Sequence, residues 1–199
     1  MRRDGFEIVC VGASAGGLAA VQTLLSGLAG DFALPVVIVQ HRGRTGGEGL
    51  GGFLQRHCAL PVSEPDDKDE IQSGHVYVAP RDYHLLVGRR EGFALSTSAP
   101  VNFARPSIDL LFESAADAWG PGALGVVLTG ANRDGALGLA RIKERGGGAI
   151  VQEPASAQVR EMPDAAIALA RPDHVAALPE IAALLNQLSS QVSVARSSI

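Results

Sequence analysis

The sequence predicts an α/β fold: a doubly wound, mainly parallel sheet with helices on both faces and an antiparallel hairpin insertion. Two observations support this prediction. Short runs rich in β-branched residues alternate with helix-like segments along most of the chain, an order typical of parallel strands joined by crossover helices. The alternation is interrupted once, where three short apolar runs follow one another with only turn residues between them, as in antiparallel hairpins.

The first half of the chain contributes two strands, two helices and the insertion. Strands are predicted at residues 6–11 and 35–40, where apolar residues run without interruption. Helices are predicted at residues 18–28 and in a stretch that ends near Arg56. The three runs assigned to the hairpin insertion are separated by turns that contain Pro, Asp and Gly, and they lie at residues 75–79, 85–87 and 93–96.

The alternation resumes in the second half of the chain. Strands are predicted at residues 124–128 and 149–152. Helices are predicted at residues 107–118, 136–145, 163–169 and 179–188, the second of them stopped by three consecutive glycines. Residues 189–199 are polar and rich in serine, which predicts a flexible tail. A length of 199 residues with 46% hydrophobic content suits one domain, which we place at residues 1–188.

Composition excludes several classes of function. The net charge is -4 and the basic residues are scattered, so we expect no nucleic acid partner. Cys10 and Cys58 show no C-x-x-C spacing, so we expect neither a disulfide framework, nor a metal site, nor any cofactor, and a reducing cytoplasmic location fits. No apolar run reaches the roughly 18 residues that a membrane span requires. Acidic residues and glycines interrupt the start of the chain, which argues against a signal peptide.

The first predicted strand is followed by the glycine-rich turn GASAGG, Gly12 to Gly17, which suits two unrelated chemistries. A dinucleotide fingerprint needs G-x-G-x-x-G and a phosphate-binding loop needs G-x-x-x-x-G-K-[ST], and neither is present. The segment matches G-x-S-x-G between a predicted strand and a predicted helix, the context of a nucleophile elbow. Ser14 is therefore a candidate nucleophile, with amides near Ala15 and Gly16 placed to stabilise an oxyanion. The structural alternative is an ordinary turn in which Ser14 caps the helix.

A serine nucleophile needs a base, and the base needs a group that orients it. His41 directly follows the run at 35–40, and Asp134 follows the loop after the strand at 124–128, so both belong to the same sheet edge as Ser14. The structural alternatives are a solvated loop histidine and an aspartate that caps the next helix. Capping and catalysis are compatible, since one carboxylate oxygen can accept helix amides while the other accepts the His41 Nδ1 proton.

The remaining histidines are assigned structural positions. Their expected places are a helix end, the start of a hairpin strand, a hairpin turn and the segment after a helical stretch, for His57, His75, His84 and His174 respectively. A triad of Ser14, His41 and Asp134 is thus the arrangement that we expect at the carboxyl edge of the sheet.

Several stretches together resemble one known family. They are VGASAGG, VIVQH, HVYVAPRDYHLL, RPSIDLLFESAA and VVLTGANRDGALG, with the later Gln152-Glu153-Pro154 and Glu161-Met162-Pro163. Between about residues 6 and 188 the chain is similar to the catalytic domain of the bacterial chemotaxis protein-glutamate methylesterases, the CheB family. The resemblance implies hydrolysis of γ-glutamyl methyl esters on the cytoplasmic helical bundle of chemoreceptors, with release of methanol, and in many members deamidation of glutamines. The family's serine, histidine and aspartate fall on Ser14, His41 and Asp134.

The chain departs from the family pattern at three positions near these residues. Ala15 stands where the family commonly has Thr, and Ala131 and Asn132 stand where it commonly has Met and Gly. These changes leave open an alternative, a catalytically weakened module that binds a signalling partner. A nucleotide-binding domain is a third reading, which the missing fingerprints disfavour.

Two expectations concern regulation and substrate docking. Family members commonly carry an N-terminal receiver domain, and none is found in this sequence. The chain therefore looks like a stand-alone or excised catalytic domain, and we expect full basal activity without phosphoryl donors. A basic rim formed by Arg42, Arg44 and Arg105 is expected to meet the acidic surface around a methylated glutamate, the alternative being that these arginines are merely solvated.

Overall fold

The structure is a computed structural model that describes residues 5–41 and 49–196, with side chains described up to residue 190. Its centre is a seven-stranded sheet in which every pairing between neighbours is parallel. The strands are β1 (Ile8–Ala13), β2 (Val36–Gln40), β3 (Val62–Ser63), β4 (Val76–Val78), β7 (Ala123–Val127), β8 (Gly148–Gln152) and β9 (His174–Ala176), and a separate antiparallel pair is formed by β5 (His84–Gly88) and β6 (Gly92–Ser96).

Helices cover both faces of this sheet. They are α1 (Gly17–Ser26), α2 (Leu50–Gln55), α3 (Ile108–Trp119), α4 (Ala136–Glu144), α5 (Glu161–Ala170) and α6 (Leu178–Arg196). One apolar core packs α1, α2 and α6 against the sheet, and the other packs α3, α4, α5 and the β5–β6 hairpin against the opposite face. The predicted doubly wound α/β architecture is confirmed.

The central strands are apolar throughout because both of their faces are buried. In β1, Ile8 and Cys10 point into one core, whereas Val9 and Val11 point into the other. The strand order is β3-β4-β2-β1-β7-β8-β9. Strands β2, β3 and β4 therefore lie on one side of β1, and β7, β8 and β9 lie on the other. The carboxyl ends of β1 and its two neighbours therefore meet at the topological switch point, where open α/β sheets place their ligand sites.

The segment at residues 75–79 was predicted to belong to the antiparallel insertion, and this is wrong. Its strand, β4, pairs in parallel with β2, with Val78 opposite Ile38. Val76 and Val78 enter one core while Tyr77 enters the other, so the run is buried on both faces as a parallel strand requires. The antiparallel unit is limited to β5 and β6.

The sequence prediction also missed two strands and stopped one helix early. The strands β3 and β9 contain two and three residues, too few to show a pattern. Helix α6 was expected to end near Leu188 but continues to Arg196. Ser189 is buried and its Oγ accepts a hydrogen bond of 2.8 Å from the Ala33 amide, so a tertiary contact supports this polar part of the helix.

No helix within the described ranges is long and apolar enough to cross a membrane. The same ranges contain no group of three or more His, Cys, Asp or Glu side chains that could hold a metal ion.

Asn186 of α6 is predicted to stabilise the end of α1. Its Oδ1 accepts a hydrogen bond of 2.9 Å from the Ala29 amide, and its Nδ2 donates one of 2.8 Å to the Gly27 carbonyl. We expect Asn186→Ala to lower the free energy of unfolding by about 1–2 kcal/mol, because two hydrogen bonds are lost. Gln187→Ala, at an exposed neighbouring position, is the control and should change it by less than about 0.5 kcal/mol. Equal stability of the two variants in urea titrations would contradict this assignment.

Candidate active site

The site lies at the carboxyl ends of three neighbouring strands. Ser14 follows β1 and His41 follows β2, and these strands pair in register with Ala13 opposite Gln40. The His41 amide continues the ladder by donating to the Ala13 carbonyl at 2.9 Å. Asp134 lies in the loop after β7, on the other side of β1. Strand pairing therefore sets Ser14 and His41 side by side, and the crossover loop brings the aspartate to them.

The three side chains form a continuous hydrogen-bonded chain. Ser14 Oγ lies 3.2 Å from His41 Nδ1, and His41 Nε2 lies 2.8 Å from Asp134 Oδ2. Asp134 is fully buried and the His41 side chain is 12% exposed. The structure thus brings together all three residues that the sequence analysis selected.

The orientation of the histidine ring differs from the expected one. Asp134 was expected to accept the Nδ1 proton, but it faces Nε2, and Nδ1 faces the serine. The strand order explains this. Ser14 follows β1, which is the neighbour of β2, and its hydroxyl is reached by the His41 ring nitrogen nearer the backbone. Asp134 lies one strand further away and is reached by the distal nitrogen. A carboxylate can only accept a hydrogen bond, so Nε2 carries the proton and the Nδ1 lone pair points at the serine hydroxyl.

Asp134 caps a helix, but not the one that was expected. It was proposed as an N-cap of α4, whose N-cap residue is instead Gly135, with no side-chain hydrogen bond. Asp134 Oδ2 accepts from the Ile108 amide at 2.7 Å and Oδ1 from the Asp109 amide at 3.2 Å, both in the first turn of α3. The Ser107 hydroxyl donates to Oδ1 at 2.9 Å. The N-terminus of α3, rather than of α4, therefore holds this carboxylate.

These contacts keep the buried carboxylate ionised. Burial alone would raise the pKa of Asp134, but the hydrogen bonds from His41 and from the Ile108 and Asp109 amides outweigh it and hold the pKa below its usual value. The positive end of the α3 dipole favours the same charge.

Asp109, in the first turn of α3, accepts hydrogen bonds from the N-terminus of α4. Its Oδ1 accepts from the amides of Gly135 and Gly138 at 2.9 and 2.8 Å. Asn102 Nδ2 donates to Asp109 Oδ2 at 3.1 Å and lies 3.4 Å from Asp134 Oδ1, so one amide group touches both acids. Burial, with the nearby charge of Asp134, raises the pKa of Asp109 to about 6. The two helices are thus capped reciprocally.

Gln40 holds the main chain of the nucleophile candidate and of the base candidate. Its Nε2 donates to the Ser14 carbonyl at 2.9 Å and to the His41 carbonyl at 2.7 Å. The side chain is buried, and among the residues that the structure describes its Oε1 has no hydrogen-bond partner. Sequence reasoning missed Gln40 and Asp109. The available signals were a polar residue that closes an otherwise apolar strand, and an acid on the apolar face of a helix.

The turn between β1 and α1 leaves the serine hydroxyl available. Gly16, with φ 74°, is the N-cap residue of α1 and takes the left-handed conformation, and the cap involves no side-chain hydrogen bond. The alternative in which Ser14 caps this helix is therefore not what the structure contains. The Ser14 amide donates to the Thr129 carbonyl at 2.9 Å. The amides of Ala15 and Gly16 donate to no protein acceptor in the described part of the chain, and they lie at the positive end of the α1 dipole.

An open pocket of about 600 Å³ lies in front of the serine. Its lining includes Ser14, Ala15, His41, Asn102, Phe103 and Asn132. Ala15, where the family commonly has Thr, lines this pocket with a side chain that carries no hydroxyl. Ala131 is exposed beside Asn132.

The expected basic rim is described only in part. Arg42 and Arg44 lie outside the described residues. Arg105 lines the pocket, but its guanidinium already has several partners. Its Nε and Nη2 donate to Asp82 Oδ1 at 3.1 and 2.9 Å, and Nη1 donates to two carbonyls, those of Thr97 and Ser98. The Arg105 guanidinium therefore holds the loop between β6 and α3, which we call the pocket loop, and does not offer a free cation to a substrate.

His84 was expected in a hairpin turn, and this is wrong. It is the first residue of β5 and is fully buried. Its Nδ1 accepts from the Ser107 amide and its Nε2 donates to the Ala99 carbonyl, each at 3.1 Å. His84 therefore fixes the segment that leads into α3 and its cap.

Comparison with known proteins identifies close similarities. The family model described as CheB methylesterase matches residues 9–185. The chain is 41% identical over 184 residues to protein-glutamate methylesterase/protein-glutamine glutaminase 2 of Anaeromyxobacter dehalogenans. This alignment covers 92% of this chain and 53% of that protein. It is 46% identical to a relative from Leptospira interrogans whose name assigns the same two activities provisionally, over 92% of this chain and 95% of that protein. The chain thus spans nearly all of one relative and about half of the other.

A solved structure has the same fold. The crystal structure of the Thermotoga maritima CheB methylesterase catalytic domain superposes with a TM-score of 0.87 and 31% sequence identity, covering 92% of this chain and 98% of that one.

The raised pKa of Asp109 predicts a pH-dependent effect of Asp109→Asn. Between an unfolded value near 3.8 and the folded value of about 6, the folded protein binds this proton more tightly than the unfolded chain. Wild-type stability relative to the variant, which cannot titrate, should therefore fall as pH rises through that window and level off above it. The measurement is the free energy of unfolding of both proteins across the window. A pH-independent difference would contradict the prediction, and an NMR titration of the Asp109 carboxyl would locate its pKa directly.

Proposed function

The chain belongs to the CheB methylesterase family of protein-glutamate methylesterases, and on that premise we propose that Ser14, His41 and Asp134 form its catalytic triad. The observation that carries the proposal is the unbroken hydrogen-bonded chain from the serine hydroxyl through the imidazole to a buried, ionised carboxylate. This arrangement has the geometry that a nucleophile, a general base and an orienting acid require.

In the first half of the reaction, Ser14 Oγ attacks the ester carbonyl while His41 Nδ1 takes its proton. Asp134 stabilises the imidazolium that forms, through the hydrogen bond to Nε2. We expect the tetrahedral oxyanion to lie near the Ala15 and Gly16 amides, which lie at a helix N-terminus and donate to no acceptor within residues 5–41 and 49–190. Collapse of the intermediate breaks the bond to methoxide, which leaves as methanol after receiving the proton from His41.

In the second half, water attacks the acyl-serine carbonyl and His41 takes one of its protons. Collapse of this second intermediate returns the proton from His41 to Ser14 Oγ and releases the glutamate side chain as its carboxylic acid, which then loses its proton to water. A glutamine side chain follows the same path with ammonia as the leaving group, which accounts for both activities in the relatives' names. Gln40 acts as a positioning residue, because it binds the backbone carbonyls of the nucleophile and the base.

We propose that the substrate is a methylated glutamate on the cytoplasmic part of a chemoreceptor, and that the protein works in the cytoplasm. The open pocket supports a polypeptide substrate, since it is not an enclosed chamber sized for one amino acid. Both cysteines, Cys10 and Cys58, are free, in keeping with a reducing compartment.

A second candidate function is a catalytically weakened module that binds the same partner. The observation in its favour is the methyl group of Ala15, which lines the pocket beside the nucleophile where the family commonly has a hydroxyl. Release of methanol from a methylated receptor fragment by the wild-type protein discriminates between the two functions.

The triad predicts that its members act as one unit. Ser14→Ala and His41→Ala should each lower kcat for methanol release by about 10⁴-fold or more, and the double variant should be little worse than either single variant. Ser190→Ala, which changes an exposed hydroxyl on α6, serves as the matched control and should retain wild-type kcat. Folding of each variant is checked by circular dichroism. A folded Ser14→Ala protein with near-wild-type activity would show that another residue is the nucleophile.

A further inference from the structure

Phe103 is the most exposed large apolar side chain in the described part of the chain. Its relative exposure is 104%, against 58% for Leu137, the next highest. It nevertheless belongs to the lining of the pocket that contains Ser14 and His41. An aromatic residue that gains nothing from burial is thus part of the wall of the candidate active site.

The backbone around Phe103 is also unfavourable for this residue type. Val101 and Ala104 exchange two backbone hydrogen bonds of 3.0 and 2.8 Å across a tight turn. The two central residues, Asn102 and Phe103, have φ angles of 49° and 63°, the signature of a type I′ turn. Asparagine tolerates this left-handed conformation, but the second central position is normally occupied by glycine, and a bulky residue is strained there.

The turn is fastened to the rest of the site. The Asn102 side chain donates to Asp109 and lies within hydrogen-bond distance of Asp134. Arg105, on the other side of the turn, binds Asp82 and the carbonyls of Thr97 and Ser98. Contacts on both sides of the turn therefore fix the backbone of Phe103 relative to the triad.

Stability does not account for a phenylalanine here. Glycine or asparagine would fit the turn with less backbone strain, and either would remove the exposed ring. Side chains held in strained, exposed positions at a pocket are commonly used for ligand contact. A fully exposed residue in the lining of this pocket is available to parts of the substrate beyond the ester itself.

We propose that Phe103 is a substrate-recognition residue, which packs its ring against an apolar side chain of the substrate polypeptide near the modified glutamate. The inference rests on the proposed function for the identity of the substrate. Phe103 contributes apolar area with only two side-chain torsions to immobilise, and the turn orders its backbone before binding, so little entropy is lost on contact. A free γ-methyl glutamate has no neighbouring side chain to pack against the ring, so Phe103 favours a protein-bound ester over a free one.

The first test compares two esters. Initial rates are measured on a methylated chemoreceptor signalling fragment and on N-acetyl glutamate γ-methyl ester, for wild type, Phe103→Gly, Phe103→Asn and Phe103→Tyr. The ratio of the two kcat/KM values should fall about tenfold in the glycine and asparagine variants, mainly through KM on the fragment, and tyrosine should restore it. Leu169→Gln, which removes an exposed apolar residue of α5, should keep the wild-type ratio. An unchanged ratio in Phe103→Gly would overturn the inference.

The second test measures binding without catalysis. In a Ser14→Ala background, the Kd for the same methylated fragment is measured by fluorescence anisotropy with and without Phe103→Gly. We expect the substitution to raise Kd about tenfold, equivalent to about 1.4 kcal/mol. An unchanged Kd overturns the role of Phe103 whether or not the wild-type protein releases methanol. Absence of methanol release with a Phe103-dependent Kd would instead contradict the proposed function and leave the recognition role supported.

Discussion

Two buried carboxylates accept hydrogen bonds from the N-termini of two neighbouring helices. The carboxylate that holds α3 comes from the loop before α4, and the carboxylate that holds α4 comes from α3. Asp134, from the loop before α4, accepts the first amides of α3, while Asp109, from α3, accepts the first amides of α4. The helix amides supply the hydrogen bonds that a buried anion needs. Gly138 lets the helices approach closely, since a side chain there would meet the Asp109 backbone and Phe112. The imidazole of His41 is oriented by a group whose own position depends on this exchange.

The parallel sheet supplies the other half of the site. Adjacent strands that end in register place Ser14 and His41 as neighbours without any special loop. The buried Gln40 side chain then donates hydrogen bonds to the backbone carbonyls of both residues. The reacting side chains are thus attached to the most buried part of the molecule, while the pocket loop that carries Phe103 lies at the surface.

Sequence reasoning reached the fold class and selected the three residues that meet at the sheet edge, because strand ends are visible as the points where apolar runs stop. It gave the wrong capping partner for Asp134, since a sequence shows only the helix that follows an aspartate and not one brought alongside by packing. The ring orientation of His41 depends on strand order, which no local pattern contains. The parallel strand β4 was mistaken for part of a hairpin because a short apolar run looks the same in either sheet. Asp109 escaped attention because its capping targets lie about 26 residues further along the chain.

The exchange of caps has a consequence for how the molecule loses function under stress. Separating α3 from α4 would break the hydrogen bonds of Asp109 to α4 and those of Asp134 to α3 in one step, and it would leave two acids without their helix amides. While the helix pair stays docked, the α3 amides hold the carboxylate that orients His41. Partial opening elsewhere, for example at the edge strands β3 or β9, leaves that pair untouched. We therefore expect heat inactivation and amide hydrogen exchange in the first turns of α3 and α4 to report the same cooperative unit.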